Sequence, residues 1–289
     1  MYAIMGITGQ VGGAVADHLI ASGEKVRAVV RNAAKASNWT ARGAELAEAD
    51  YDDPAALEQA FRDTAGVFAM IPPNFAPSPD QRESRKTIEA LATALDRARP
   101  PKVVYLSSIG AQHDTGLGLI TALHLLEESL DALPLPTAAL RAGWFMENSV
   151  WDVAPAREQG KLFSYLQPLD HEFPLVATRD IGKTGAGTLL QTWEGHRHLE
   201  VGGPRRYSPR DIAAAFSKVL GKNVEPVTVP RDEWVKTFVA QGTPEDRTPL
   251  RVQMLDAFNS GWIDFGVSGT EQAVGTTELD TVIQSLVRS

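Results

Sequence analysis

Three glycines near the start of the chain have the spacing needed to bind phosphate groups. They lie in Gly6-Ile7-Thr8-Gly9-Gln10-Val11-Gly12-Gly13, here called the phosphate loop, between an apolar strand pattern and a helix pattern. Glycines permit a tight turn and a close backbone approach to a pyrophosphate, and the unpaired N–H groups at a helix start attract an anion. A loop that merely turns the chain is the alternative, but the flanking strand and helix patterns favour a dinucleotide site.

A basic residue follows this loop where the ribose of a bound dinucleotide is expected. Arg31 ends the second strand pattern, nineteen positions after Gly12, close to the spacing at which an acid usually contacts the ribose. An acid would accept a hydrogen bond from the 2′-hydroxyl, whereas a guanidinium binds a 2′-phosphate with charge-assisted bonds. The sequence therefore predicts NADP(H) as the cofactor, with Lys35 as a second positive charge. A solvated surface arginine is the alternative interpretation.

Further candidate binding residues end the later strand patterns. Asp50 and Tyr51 end the third one, where the acid would accept a hydrogen bond from the adenine amine; a turn with the capping acids Asp52 and Asp53 is the alternative. Ligands of parallel sheets bind beyond the strand carboxyl ends, so these segments would line one crevice. The predicted cofactor-binding residues are Gly6, Thr8, Gly9, Gln10, Val11, Gly12, Arg31, Lys35, Asp50, Tyr51, Ile71, Pro72, Pro73, Ser107, Ser108, Gly143, Trp144 and Phe145.

The fifth strand pattern ends in Ser107-Ser108, where short-chain dehydrogenases carry a serine that polarises the substrate carbonyl. Those enzymes add a Tyr-x-x-x-Lys pair on the next helix, and residues 106–160 contain no such pair. His124, on the next predicted helix, is the only nearby side chain that titrates near neutral pH, so it is the candidate catalytic proton donor. A structural role for His124, packing or capping on the face of its helix, is at least as well supported as the catalytic one.

The remaining candidates are an apolar wall for a substrate and a histidine pair. The wall candidates are Phe75, Trp144, Phe145, Met146 and Trp151. Core packing is the alternative for each of them. His196 and His198 have the spacing of a metal pair, but no third ligand is evident. An exposed strand is the preferred interpretation, and no metal site is predicted.

Alternating strand and helix patterns predict how these residues are positioned. Short apolar runs occur at residues 2–5, 26–30, 44–49, 66–71, 102–107 and 137–141, with helix patterns between them. This succession predicts an α/β fold, a Rossmann-type doubly wound parallel sheet with a smaller C-terminal α/β substrate lobe. Residues 1–150 are assigned to the NAD(P)-binding domain, with 178–205 returning to it. Residues 151–177 and 206–289 are assigned to the smaller lobe, which would contact the substrate or a partner.

Composition narrows the functional classes. The 289 residues carry a net charge of −8, which disfavours direct nucleic-acid binding. The absence of cysteine excludes disulfides and a cysteine nucleophile. No apolar run approaches the ~20 residues of a membrane span, and residues 1–12 are assigned to the first strand and loop rather than to a signal peptide. We therefore expect a cytoplasmic protein that does not contact membranes.

Taken together, these segments resemble the NmrA-like group of atypical short-chain dehydrogenases. Besides the phosphate loop, the matching segments are Val29-Val30-Arg31-Asn32, Ala49-Asp50-Tyr51-Asp52-Asp53, Leu106-Ser107-Ser108-Ile109-Gly110-Ala111, Leu140-Arg141-Ala142-Gly143-Trp144-Phe145-Met146-Glu147-Asn148, Arg179-Asp180-Ile181-Gly182, Val201-Gly202-Gly203-Pro204 and Phe258-Asn259-Ser260-Gly261. The group usually has proline where this chain has Ala142. The resemblance implies a Rossmann domain, a smaller C-terminal lobe and NADP(H) held along the strand ends.

The resemblance is compatible with two functions. Some members of the group are similar to NADPH-dependent quinone reductases, and others bind NADP(H) without turnover and control a transcription factor through protein contact. We favour hydride transfer from NADPH to a quinone-like or other electron-poor small molecule, because such an acceptor needs little help from a protein acid. The alternative is a non-catalytic NADP(H)-sensing regulator with a protein partner. A homodimer is compatible with both.

Overall fold

The structure, a computed structural model, describes residues 1–288 and is organised around one large parallel sheet. The strands in chain order are β1 (Tyr2–Met5), β2 (Val26–Val30), β3 (Glu45–Glu48), β4 (Gly66–Ala69), β5 (Val103–Ser108), β6 (Thr137–Ala142), β7 (Trp144–Phe145), β8 (Lys161–Ser164), β9 (Leu175–Val176), β10 (His196–Gly202), β11 (Glu225–Thr228) and β12 (Glu271–Val274). The sheet has the order β12-β10-β6-β5-β4-β1-β2-β3, and all its pairings are parallel. The predicted α/β doubly wound fold is therefore confirmed.

Helices cover both faces of this sheet. In chain order they are α1 (Gln10–Ala21), α2 (Ser37–Thr40), α3 (Pro54–Phe61), α4 (Arg82–Ala98), α5 (Thr121–Asp131), α6 (Val153–Gln159), α7 (Thr178–Leu189), α8 (Pro209–Leu220), α9 (Trp234–Ala240), α10 (Thr248–Asn259) and α11 (Leu279–Arg288). Side chains of a strand alternate between faces. Ile4 and Val104 accordingly pack with α1 and α7, whereas Ala3 and Tyr105 pack with α3, α4 and α5.

β1 and β4 are continuous apolar runs, as expected for strands buried on both faces, whereas β3, at the edge of the sheet, has the sequence Glu-Leu-Ala-Glu and is only partly buried. β1 and β2 occupy the predicted ranges, and β3 and β4 end within two residues of theirs. Because these strands are parallel, the carboxyl ends of β1, β2, β4, β5 and β6 share one edge. We call the groove beyond this edge the strand-end crevice.

A second apolar core lies in the C-terminal half of the chain. Phe216, Trp234 and Phe238 are buried in it, and the two-stranded sheets β8–β11 and β7–β9 lie outside the large sheet. Helix α8 begins with a capping box, in which Ser208 and Asp211 bond reciprocally to each other's backbone N–H. Within residues 1–288, no helix combines the length and apolar character that crossing a bilayer requires.

One strand departs from the predicted domain division. Residues 271–274, assigned to the smaller lobe, form β12 and pair with β10 at the edge of the large sheet. Its sequence, Glu-Gln-Ala-Val, is short and mostly exposed, so no apolar run indicated a strand there. The remaining domain boundaries stay a prediction.

Candidate functional site

The phosphate loop folds so tightly that two of its glycines leave no room for a side chain. Gly6 has φ +62°, and a Cβ there would lie 2.3 Å from the Met70 sulfur. A Cβ on Gly12 would lie 2.4 Å from the carbonyl oxygen of Gly6. The N–H of Gly9 donates to that same carbonyl at 2.8 Å and closes the turn. The predicted glycine spacing therefore serves a close backbone approach.

Helix α1 begins at this loop with free backbone donors. Gly9 is its N-cap residue, and no side chain caps the first turn. Thr8, Gly9 and Gln10 are exposed, whereas Val11 is buried, so Val11 can contribute only its backbone. A twelve-residue helix with an uncapped, accessible N-terminus attracts an anion.

Tyr51 connects the loop to the end of β2. Its hydroxyl accepts a hydrogen bond from the N–H of Gly6 at 2.9 Å, and the Arg31 guanidinium carbon lies 5.8 Å from the ring centroid. Burial raises the pKa of Tyr51, and the Gly6 N–H and Arg31 oppose that shift. Asp50 accepts a bond from the N–H of Asp52 at 3.2 Å. This bond belongs to the turn interpretation, so an adenine contact for Asp50 stays a prediction.

A cavity of about 420 Å³ opens beside the loop. Its lining includes Thr8, Gly9 and Gln10 from the loop, Lys35 from the segment after β2, and Arg179 from the first turn of α7. Among the described residues, neither Lys35 nor Arg179 has a side-chain hydrogen bond or an ion pair. Sequence reasoning included Lys35 but missed Arg179, because only the packing of α7 against α1 brings it here.

The segment after β4 reaches the crevice with mixed exposure. Ile71 is buried, Pro72 is half-buried and Pro73 is exposed. Phe75 is 64% exposed, so its ring offers an apolar surface but does not form the wall of an enclosed pocket. Ile71, Pro72 and Pro73 therefore lie at the predicted strand end, and their contact with a cofactor stays a prediction.

Ser107 is placed differently from the prediction. Its hydroxyl donates to the carboxylate of Glu127 at 2.5 Å and is 3% exposed. Strand alternation explains this, because Ser107 shares the face of Tyr105, which packs on α5, rather than facing the crevice. The hydroxyl is therefore not available to polarise a substrate carbonyl. Ser108, on the opposite face, is half-buried and donates to the carbonyl of Ile109.

Glu127 lies at the centre of a buried polar network. It accepts from the Arg141 guanidinium at 2.6, 3.0 and 3.2 Å, with side-chain exposures of 6% and 8%. The network continues through His198, whose Nε2 donates to Asp131 at 2.9 Å, and His196 lies 3.7 Å from the same carboxylate. Burial by itself would raise the pKa of Asp131. The histidines and Thr137 lower this pKa by more than burial raises it, so it lies below its usual value. Asp131 is therefore the structural partner of both His196 and His198.

His124 lies at the side of the loop that follows β5. Its Nδ1 is 2.9 Å from the carbonyl oxygen of Ala111, and its Nε2 is 3.6 Å from a carboxylate oxygen of Glu128. A carbonyl can only accept, so Nδ1 carries a proton and Nε2 holds the exchangeable position. The geometry satisfies the capping interpretation and leaves the catalytic one as a prediction.

Two half-buried aromatic residues, Trp144 and Phe145, follow β6. Gly143 is required there, because a Cβ would lie 2.4 Å from the carbonyl oxygen of Pro174. Trp144 packs edge-on against Phe258 with centroids 5.2 Å apart, and Phe145 packs against the core beneath α1. Trp144 and Phe145 are therefore more enclosed than the exposed candidates Phe75 and Trp151.

Met146 is a correction to the predicted substrate wall. Residues 146–152 form a 3₁₀ helix, in which every third residue shares a face. Met146 is 0% exposed and Ser149 is buried on that face, whereas Trp151 points outward and is 82% exposed. Asp152 returns to the inner face, where it has no hydrogen-bonding partner within residues 1–288, and burial raises its pKa to about 7. Met146 belongs to the core, and Trp151 lies on the surface.

The fold and this site define a dinucleotide-binding protein of the Rossmann type. The NmrA-like family model matches residues 2–260, so the chain belongs to that family. It is 27% identical over 245 residues to the NAD(P)H azoreductase of Xenophilus azovorans, covering 85% of this chain and 82% of that protein. It is 25% identical over 247 residues to quinone oxidoreductase 2 of Escherichia coli, covering 85% and 83%. A crystal structure of the Escherichia coli NADPH-dependent quinone oxidoreductase with NADPH superposes with a TM-score of 0.81, at 23% identity and 99% coverage of both chains.

Proposed function

We propose that this protein is an oxidoreductase that binds NADPH at the phosphate loop and passes hydride to a quinone-like or other electron-poor small molecule. The observation that carries the proposal is the glycine turn beneath an uncapped helix start, where Gly6 and Gly12 exclude side chains. Relatives named as an NAD(P)H azoreductase and a quinone oxidoreductase support a reductase.

The residues present fit such a coenzyme. The free N–H groups at the start of α1 would hold the pyrophosphate, and the cations Arg31 and Lys35 would hold a 2′-phosphate. Tyr51 and Asp50 lie at the strand ends where the adenosine is expected. When bound, NADPH supplies the hydride. The protein contributes orientation and proximity, which can lower a barrier by ~7–11 kcal/mol.

Reduction of a quinone to a hydroquinone requires two protons besides the two electrons, and hydride brings one of them. The second comes from the protein or from water. The Ser107 hydroxyl is hydrogen-bonded to Glu127. The candidate proton donor in the strand-end crevice is therefore His124, through Nε2. Trp144, which is half-buried beside Phe258, is the candidate apolar surface for the acceptor.

The test is NADPH oxidation by the purified protein with a panel of quinones and azo compounds, with NADPH binding titrated in parallel. We expect turnover well above the protein-free rate and its loss in Gly12→Ala, whose Cβ would collide with the Gly6 carbonyl. Gly187→Ala is the matched control, because a Cβ there meets open space. Tight NADPH binding without turnover on any acceptor would instead support the non-catalytic regulator, whose partner would then be sought.

A further inference from the structure

We propose that Arg179 is a specificity-determining residue of the coenzyme site and that it adds a third cation, besides Arg31 and Lys35, to the residues that hold the 2′-phosphate of NADPH. The identity of the anion rests on the proposed function. Lys35 and Arg179 line the cavity of about 420 Å³ beside the phosphate loop.

Helix α7 reaches the phosphate loop because it crosses α1 at very short range. A Cβ on Gly182 would lie 2.3 Å from the Ala14 Cβ and 2.8 Å from the Val15 backbone nitrogen. Any larger residue would separate the helices. Arg179 precedes Gly182 by three residues, about one helical turn. The close crossing therefore places the start of α7 beside the start of α1.

The two neighbours of Arg179 orient this first turn. Thr178 donates its N–H and its hydroxyl to Glu147, at 3.0 and 2.7 Å. Asp180 is buried and accepts from the N–H and the hydroxyl of Thr277, at 2.8 and 2.9 Å. Both side chains are tied to the protein interior. Arg179 lies between them, is exposed, and projects to the cavity.

The charges at the cavity select an anion. Lys35 and Arg179 have no acidic partner among the described residues. The acid in the lining, Asp17, is paired with Arg42 at 2.6 Å, which offsets its charge. An uncompensated cationic pocket in a chain of net charge −8 fits a dianionic phosphate monoester better than the singly charged phosphates of a pyrophosphate. In NADPH that monoester is the 2′-phosphate.

Binding of nucleotide fragments tests the proposal without turnover. Adenosine 2′,5′-bisphosphate carries the 2′-phosphate and ADP carries the pyrophosphate, and calorimetry gives both Kd values. Arg179→Gln should raise the Kd of the bisphosphate about tenfold or more, because a charge-assisted bond is lost. It should change the Kd of ADP less than about threefold, and Arg179→Lys should restore part of the affinity. Arg210→Gln is the matched control, since Arg210 is likewise the second residue of its helix, α8.

The outcomes separate this inference from the proposed function. A selective loss for the bisphosphate supports the 2′-phosphate pocket. Equal losses for both ligands would overturn it and place Arg179 at the pyrophosphate, and unchanged affinity for both would remove Arg179 from the site. If the unmodified protein binds neither fragment nor NADPH, the proposed coenzyme itself is wrong.

Discussion

Glu127→Gln should destabilise the fold far more than an ordinary surface substitution. The change keeps the size of the side chain and removes its charge. It leaves the Arg141 guanidinium, 8% exposed, without the carboxylate that accepts at 2.6, 3.0 and 3.2 Å. Removing one partner of a buried ion pair typically costs 3–5 kcal/mol, because the other charge remains buried. We expect the free energy of unfolding to fall by about 4 kcal/mol, a large part of the roughly 5–15 kcal/mol of a native protein.

Urea denaturation measures this loss. With a slope of about 3 kcal/mol/M, the midpoint should fall by about 1–2 M. Glu45→Gln is the matched control, because the Arg27–Glu45 pair is partly exposed (14% and 49%) and Arg27 keeps its bonds to the carbonyls of Ala60 and Arg62. Its midpoint should move by less than about 0.5 M, since exposed pairs contribute ~0–1 kcal/mol.

The double variant Glu127→Leu/Arg141→Met provides a second check. Replacing both charges with apolar groups removes the uncompensated charge, so this variant should recover most of the lost stability, although Ser107 loses its acceptor. A Glu127→Gln midpoint that shifts no more than that of Glu45→Gln would refute the reasoning, because the pair would then contribute no more than a surface pair.

Three further predictions concern the site. Arg31→Asp should weaken NADPH binding by about 100-fold and NADH binding by less than about threefold; equal losses in fluorescence titrations would remove Arg31 from the 2′-phosphate. His124→Asn should lower kcat if Nε2 delivers the proton, and an unchanged kcat would assign the proton to water. Asp152 has a folded pKa of about 7 against its ordinary 3.8, so the native state binds more protons over that interval and stability falls as pH rises through it. Asp152→Asn should abolish this slope and be more stable at pH 8 by roughly 2 kcal/mol, half of the full linkage value because the carboxyl is only half-buried; equal urea midpoint differences at pH 5 and pH 8 would contradict it.

The sequence alone determined the phosphate loop, the cation at the end of β2 and the class of fold. These features depend on local requirements. Gly12 lies where backbone atoms approach too closely for a Cβ, and Gly6 adopts φ +62°, a backbone conformation that favours glycine. Val26–Val30 is apolar except for the half-buried Arg27, because β2 is buried within a parallel sheet. Local rules of this kind can be read without knowing what lies across the fold.

Which way a side chain points at a strand end was decided by the tertiary structure. Ser107 and Ser108 are adjacent and chemically identical, yet alternation turns one toward Glu127 on α5 and leaves the other half-buried. The Ser107 hydroxyl is therefore not free to polarise a substrate carbonyl, and the cofactor contact of Ser107 stays a prediction. Met146 was similarly assigned to a pocket, and the three-residue period of its 3₁₀ helix turned it into the core.

Arg179 is the residue whose position the sequence indicates least. It lies 148 positions after Arg31, in a segment that the sequence connects with the site only through the resemblance to the family. Its place beside the phosphate loop depends on the close contact between Gly182 and Ala14, two small residues that are distant in the chain. Local patterns encode backbone geometry and burial, whereas the convergence of charges from separate helices exists only after those helices have packed.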